Sequence, residues 1–227
     1  MQYKNICGGR FLSRPNRFTA EVQIQDKIEI CHVKNTGRCR ELLIPGAKVY
    51  LEESDNEKRK TKYDLVAVEK GERLINMDSQ LPNAAVKEWI LQGGLFTDLI
   101  YIRGEKVFGE SRFDLYAEHG EKKAFIEVKG VTLEQDGIAR FPDAPTLRGV
   151  KHVEELCRCV EQGYEAYLIF VIQMKGITRL EPNWTTHPQF GEAMQKAVKS
   201  GVKLLAYDCI VKPSGIWIDQ PVPVVLE

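Results

Sequence analysis

The 227 residues balance 32 Lys and Arg against 32 Asp and Glu at 43% hydrophobic content, which supports one large or two small folded domains and excludes a disordered or fibrous chain. The balance hides an asymmetry: residues 1–50 hold nine basic side chains against four acidic ones, a net +5, and the remainder carries −5. The longest apolar run, Ala166 to Ile172, is too short to cross a bilayer and Met1 to Asn5 lacks the regions of a signal peptide, so a cytoplasmic protein with no membrane partner is expected.

The first stretch reads as strands. Ile6–Leu12, Arg17–Ile24, Lys27–Lys34, Lys48–Glu53 and Tyr63–Lys70 alternate apolar and polar residues or are rich in β-branched ones. Turn residues separate them at Ser13–Asn16, Gln25–Asp26 and Pro45–Gly46, and a charged stretch at Ser54–Lys60. Five short strands with a brief helical piece at Arg38–Leu43 predict a small barrel of the OB type, a shape that binds single-stranded nucleic acid. Arg10, Lys34 and Arg38 are its candidate groove cations.

From Gln80 the pattern changes. Pro82 can open a helix whose apolar positions Ala85, Val86, Trp89 and Ile90 recur at three and four, closed by Gly93–Gly94. There follow a strand at Lys106–Phe108, a hairpin, an irregular loop from Gly130 to Pro145 and a helix from Thr146 to Gln162 with Thr146 as N-cap. A buried strand at Ala166–Ile172, a helix near Pro188–Ser200 and strands at Lys203–Tyr207 and Gly215–Ile218 complete a mixed α/β unit. We divide the chain into residues 1–79 and 80–227. The apolar tail Pro221–Leu226 either covers a sheet or meets a second subunit in a homodimer. The six cysteines include no Cys-x-x-Cys pair, so reduced, partly buried thiols are expected rather than a zinc site or disulfides.

The chemistry concentrates in the hairpin. In Arg112–Ala117 the apolar Phe113, Leu115 and Ala117 are expected on one face, leaving Arg112, Asp114 and Tyr116 on the other; in Lys123–Lys129, Glu127 and Lys129 project opposite Ala124, Ile126 and Val128. A four-residue loop at His119–Lys122 sets position 114 against position 127, with the two Cβ atoms roughly 5 Å apart. Any even loop length keeps them on the same side. Two facing carboxylates repel unless a cation lies between them, and a divalent metal beside Lys129 resolves the conflict. On the Thr146 helix, Arg148, Lys151, His152 and Glu155 gather opposite the apolar face, so Arg148, Lys151 and His152 either hold a backbone phosphate or form a solvated face.

Several segments resemble the SfsA, or sugar fermentation stimulation protein A, family. They are Gly109–Asp114, Phe125–Leu133, Phe141–His152, Asn35–Leu42 and Gly201–Tyr207, spread over almost the whole chain. The resemblance implies an OB-like N-terminal domain and a C-terminal domain of the PD-(D/E)XK restriction-endonuclease type. It further implies Asp114 and Glu127 as metal-binding acids, Lys129 as catalytic lysine, and Glu105 as another acid that completes the shell or places a second ion. Phe108 stands where Tyr is expected, and Gly130 where a polar residue is frequent. The expected activity is Mg²⁺- or Mn²⁺-dependent hydrolysis of DNA or RNA phosphodiesters, with Asp114, Glu127 and the Val128 carbonyl around the ion. The rival reading is a DNA-binding regulator that does not cut. A small-molecule enzyme has little support, because no Gly-rich phosphate loop, Gly-x-Ser-x-Gly elbow or His-rich metal motif appears.

Overall fold

The computed structural model describes residues 2–35 and 37–227. Its first unit contains β1 (Ile6–Asn16), β2 (Thr19–Ile24), β3 (Lys27–Val33), β4 (Lys48–Glu53) and β5 (Tyr63–Lys70). β1 pairs with β2 and with β4, β2 with β3, and β4 with β5, all antiparallel; β3 then meets β5 in parallel at His32–Asp64 and Val33–Leu65, closing the ring. Alternation drives the closure: Ala20 and Val22 are fully buried while Gln23 between its neighbours is exposed, so one face of each strand fills the barrel. Gly9 lets two strands approach, since a Cβ there would lie 2.6 Å from Cγ1 of Val22.

The segment Arg38–Leu43 forms a turn, not the expected helical piece. Cys39 has φ 45° and its carbonyl accepts from the N–H groups of Leu42 and Leu43, while Cys39 and Leu42 plug the barrel. Six residues before Pro45 are too few to offset the cost of helix nucleation when their apolar side chains all bind a neighbouring core. A sixth strand, β6 (Arg73–Asn76), extends the sheet beyond β5 and was not expected.

The second unit opens with α1 (Leu81–Leu91), with Pro82 in its first turn, then β7 (Leu99–Phe108), β8 (Ser111–His119) and β9 (Lys122–Val131). The expected irregular loop holds two short strands, β10 (Glu134–Gln135) and β11 (Ile138–Phe141), joined by Asp136–Gly137 with both residues at positive φ. Asp-Gly is the residue pair that such a two-residue hairpin requires, so the signal was present. Next come α2 (Leu147–Glu161), β12 (Glu165–Ile172), β13 (Arg179–Pro182), α3 (Pro188–Lys199), β14 (Lys203–Lys212) and β15 (Gly215–Pro221).

The main sheet has the order β15-β14-β12-β9-β8-β7. β9, β12 and β14 are parallel, linked by crossovers through α2 and α3; β8 runs antiparallel to β9, and β7 and β15 are antiparallel edges. α1 packs with Leu115, Ala117, Ile126 and Val128 on one face, and α2 and α3 pack with Phe125, Leu168 and Phe170 on the other. Burial on both faces explains why β9 and β12 read as near-continuous apolar runs. The tail takes the first of its two open uses: Val225 N–H donates to Leu180 of β13, Val222 N–H to Ala206 of β14, and Gln195 of α3 to the Leu226 carbonyl. All six cysteines are free thiols.

Candidate metal centre

The β8–β9 ladder runs from His119–Lys122 to Leu115–Ile126 around a two-residue turn. The turn is shorter than the four-residue loop expected, but the register is the same, and the next pair along is Asp114 with Glu127. At that step the backbone ladder stops. Asp114 Oδ2 instead accepts the Val128 N–H at 2.8 Å, so the side chain takes the place of a strand partner. Strand β8 also twists here: Phe113 packs with Tyr116, Phe125 and the His152 ring on the α2 side, not with Leu115 and Ala117 as strict alternation predicts. On the other side of β8, β7 still pairs Lys106 with Phe113 and Gly104 with Leu115, but Glu105 between them has φ 54° and does not pair with Asp114, so the irregularity is confined to this step.

Glu127 is 2% exposed and points to α2. Its Oε1 accepts from Lys129 Nζ and from His152 Nδ1, both at 2.5 Å. Arg148 Nε donates to the other ring nitrogen of His152 at 3.4 Å, so Nε2 accepts and the proton sits on Nδ1. Glu127 Oε2 is buried and has no hydrogen-bond partner. Asn83, in the first turn of α1, donates to Asp114 Oδ1 at 2.7 Å.

The two carboxyls are driven apart electrostatically. Burial and then the negative charge of Glu127 push the Asp114 carboxyl above its ordinary value, against the Val128 N–H, Lys129 and Asn83. Burial also pushes Glu127 up, but the His152 hydrogen bond and Lys129 outweigh it and hold it below the usual carboxylate range. A dication would reverse the penalty on Asp114 and give Glu127 Oε2 the partner it lacks. Among the described residues no group of three or more His, Cys, Asp or Glu converges on one point. Two carboxylates therefore suit a hard ion such as Mg²⁺ that keeps water and takes phosphate oxygens, and do not suit a closed structural site.

Other expected site residues lie elsewhere. Glu105 does not join the pair: it sits at φ 54°, its side chain is 73% exposed, and its partner is Arg112 at 3.6 Å. His152 faces Glu127, not solvent, because Glu127 is the polar group that its helical position meets. Lys151 remains at the surface, paired with Glu110 at 2.7 Å. Lys34 is only 18% exposed and is held by Glu52, Asp64 and Asp78, so it is not a free groove cation. Arg10 and Arg38 are exposed on the barrel. Sequence reasoning missed Asn83, whose approach to Asp114 depends on how α1 docks.

A cleft of about 340 Å³ begins where β9 runs on from Lys129, and its walls come from both units. Asn35, Gly37 and Ser79 line one side, and Gly130, Thr132 and Asp143 are among those opposite. Gly37 packs tightly there, since a Cβ would lie 2.5 Å from Asp143 Oδ2.

Two family models match this chain: "Sugar fermentation stimulation protein RE domain" over residues 80–215, and "SfsA N-terminal OB domain" over residues 12–77. The chain belongs to the SfsA family. A sugar fermentation stimulation protein homolog of Desulfitobacterium hafniense is 60% identical over 216 residues, covering 95% of this chain and 94% of that relative. One of Clostridium beijerinckii is 55% identical over 226 residues, covering 100% of both. A solved structure described as Pyrococcus furiosus SfsA in complex with Ca²⁺ superposes with a TM-score of 0.90 at 28% identity, covering 99% of this chain and 98% of that one. The SfsA architecture is thus an OB barrel followed by an α/β domain. Among the described residues no helix is long and apolar enough to cross a membrane.

Proposed function

We propose that this chain is a divalent-metal-dependent nuclease of the PD-(D/E)XK type that hydrolyses DNA or RNA. The carrying observation is the buried, unpartnered Glu127 Oε2 beside Asp114 and Lys129, where the β8–β9 ladder ends. Asp114, Glu127 and the Val128 carbonyl would hold Mg²⁺ or Mn²⁺, which supplies Lewis acidity to a water and to the scissile phosphate. Lys129 places an ammonium at the same carboxylate edge, where it can donate to charge developing on the phosphate. Lys151 at the start of α2, and Arg10 and Arg38 on the barrel, supply the cations for the nucleic-acid backbone. The description of the Pyrococcus furiosus structure with Ca²⁺, another hard oxygen-seeking dication, supports this reading.

A second reading, a DNA-binding regulator that does not cut, is favoured by one observation: Glu127 Oε1 is already saturated by Lys129 and His152. Labelled single-stranded DNA, duplex DNA and RNA incubated with Mg²⁺ or Mn²⁺ separate the two. A nuclease cuts at least one of them, EDTA stops it, and Lys129→Ala slows cutting by at least about 100-fold with binding nearly intact. Binding without metal-dependent cleavage on all three substrates leaves the regulator standing.

A further inference from the structure

We propose that His152 and Arg148 are positioning residues of the metal centre rather than primary nucleic-acid contacts, and that they set which oxygen of Glu127 is offered to the ion. The inference rests on the metal-centre reading and deepens it. The two residues are one helical turn apart on α2, so they share a face and can act in series. Arg148 Nε donates to His152 Nε2, which leaves the proton on Nδ1, and that N–H donates to Glu127 Oε1 at 2.5 Å. The ring is itself anchored, with Phe113 edge-on at 6.2 Å between centroids and only 8% of the residue exposed.

The consequence is directional. A carboxylate side chain in a buried pocket can rotate about its last bond and present either oxygen. With Oε1 held by His152 and Lys129, rotation is blocked and Oε2 is the oxygen left without a donor. Lys129 alone cannot do this, because its four-carbon stem follows whichever oxygen is offered, whereas an imidazole fixed at both nitrogens is rigid. Partners that hold a ligating carboxylate in this way typically govern metal affinity by about 10- to 100-fold.

Isothermal calorimetry of Mn²⁺ binding to the full chain, paired with anisotropy of a fluorescein-labelled single-stranded oligonucleotide in EDTA, tests the assignment. His152→Ala is expected to weaken Mn²⁺ about 10- to 100-fold while leaving oligonucleotide affinity within about twofold. His152→Asn carries a donor at the place of Nδ1 and should recover most of the Mn²⁺ affinity; His152→Gln carries its donor at the place of Nε2 and should not. Should His152→Ala fail to fold by thermal melting, Arg148→Ala at an exposed position remains, with a smaller loss of Mn²⁺ affinity expected. In cleavage assays the half-saturating Mn²⁺ concentration rises and the rate at saturating metal returns towards wild type.

Unchanged Mn²⁺ affinity in His152→Ala overturns the inference, as does an Asn variant no better than Ala. A loss of oligonucleotide affinity with normal Mn²⁺ binding would make His152 a phosphate contact instead. Failure of the underlying reading looks different: wild type then gives no Mn²⁺ isotherm, and both claims fall together. A wild-type isotherm lost in Glu127→Gln but kept in His152→Ala sinks this inference alone.

Discussion

Two half-buried lysines, one in each unit, are built from the same ingredients to opposite ends. Lys34, just after β3, lies 3.6 Å from Glu52, 3.4 Å from Asp64 and 3.2 Å from Asp78. Arg59 and His32 also reach Asp64, the Lys4 N–H reaches Glu52 and the Gln80 N–H reaches Asp78, and none of these carboxylates has a buried oxygen without a hydrogen-bond partner. Lys129 donates to Glu127 beside Asp114, and Glu127 Oε2 is left without a partner. With three acids against Lys34 and Arg59, and two against Lys129, each cluster carries one more negative than positive charge. Net charge therefore does not separate a structural clasp from a candidate metal site. Hydrogen-bond satisfaction does: an unpaired buried acceptor costs about 1–3 kcal/mol, and Glu127 Oε2 is such an acceptor while no oxygen of the Lys34 cluster is.

Breaking the open cluster should have the largest effect. Lys129→Ala is expected to lower the initial cleavage rate by about 10²- to 10³-fold, the loss typical when one donor to developing phosphate or oxyanion charge is removed. A steady-state rate within tenfold of wild type would remove the lysine from the chemistry.

Breaking the closed cluster should instead cost stability. Lys34→Met leaves three carboxylates around an apolar chain, a change worth roughly 3 kcal/mol, which for a chain of this size lowers Tm by about 6–12 °C. Burial raises Asp64, but Arg59 and Lys34 outweigh it and hold its folded value below the usual 3.8. Its contribution is thus present above pH 3.8 and lost as pH falls through the folded value. Burial lowers Lys34, but Asp78 and Asp64 outweigh it and raise its folded value above 10.5, so its contribution is lost only on the alkaline side. The gap between wild-type and Lys34→Met melting temperatures should therefore be widest between these limits and shrink on acidification below 3.8. A gap that widens in acid contradicts the clasp.

Filling the open cluster should stabilise it. Mn²⁺ at 100 times its Kd adds about 2.7 kcal/mol, or roughly 5–10 °C in Tm, and none in Asp114→Asn. In metal-free buffer Asp114→Asn should leave Tm unchanged or raised by about 1 kcal/mol equivalent, because the buried charge is unfavourable there and Asn83 can turn its amide to match. The smallest effect belongs to the barrel surface: Arg38→Ala should weaken single-strand binding in a salt titration and reduce the log-log slope by about 0.7.

Local pattern carried much of this. The alternation of Ala124, Ile126 and Val128 against Glu127 and Lys129 is what the structure shows for β9, and the even hairpin turn is why Asp114 arrives next to Glu127 although the loop is two residues long. Asp136–Gly137 announced a hairpin that the irregular-loop expectation passed over, and Thr146 caps α2 through the Gly149 N–H as its residue type suggests. Phe113 broke the pattern at a step where the β8–β9 ladder has ended and Glu105, opposite on β7, has φ 54°.

What the chain determines by itself, then, is the barrel's strands, the register of the acidic pair and the spacing of Arg148 and His152, all consequences of contacts between near neighbours. Only tertiary packing decided that His152 turns inward to Glu127, that Asn83 reaches Asp114, that Lys34 is consumed by Asp64 and Asp78, and that Glu105 stays in solvent. Those outcomes depend on which surfaces meet across tens of residues, and a buried polar group takes whichever partner the packing brings within about 3 Å.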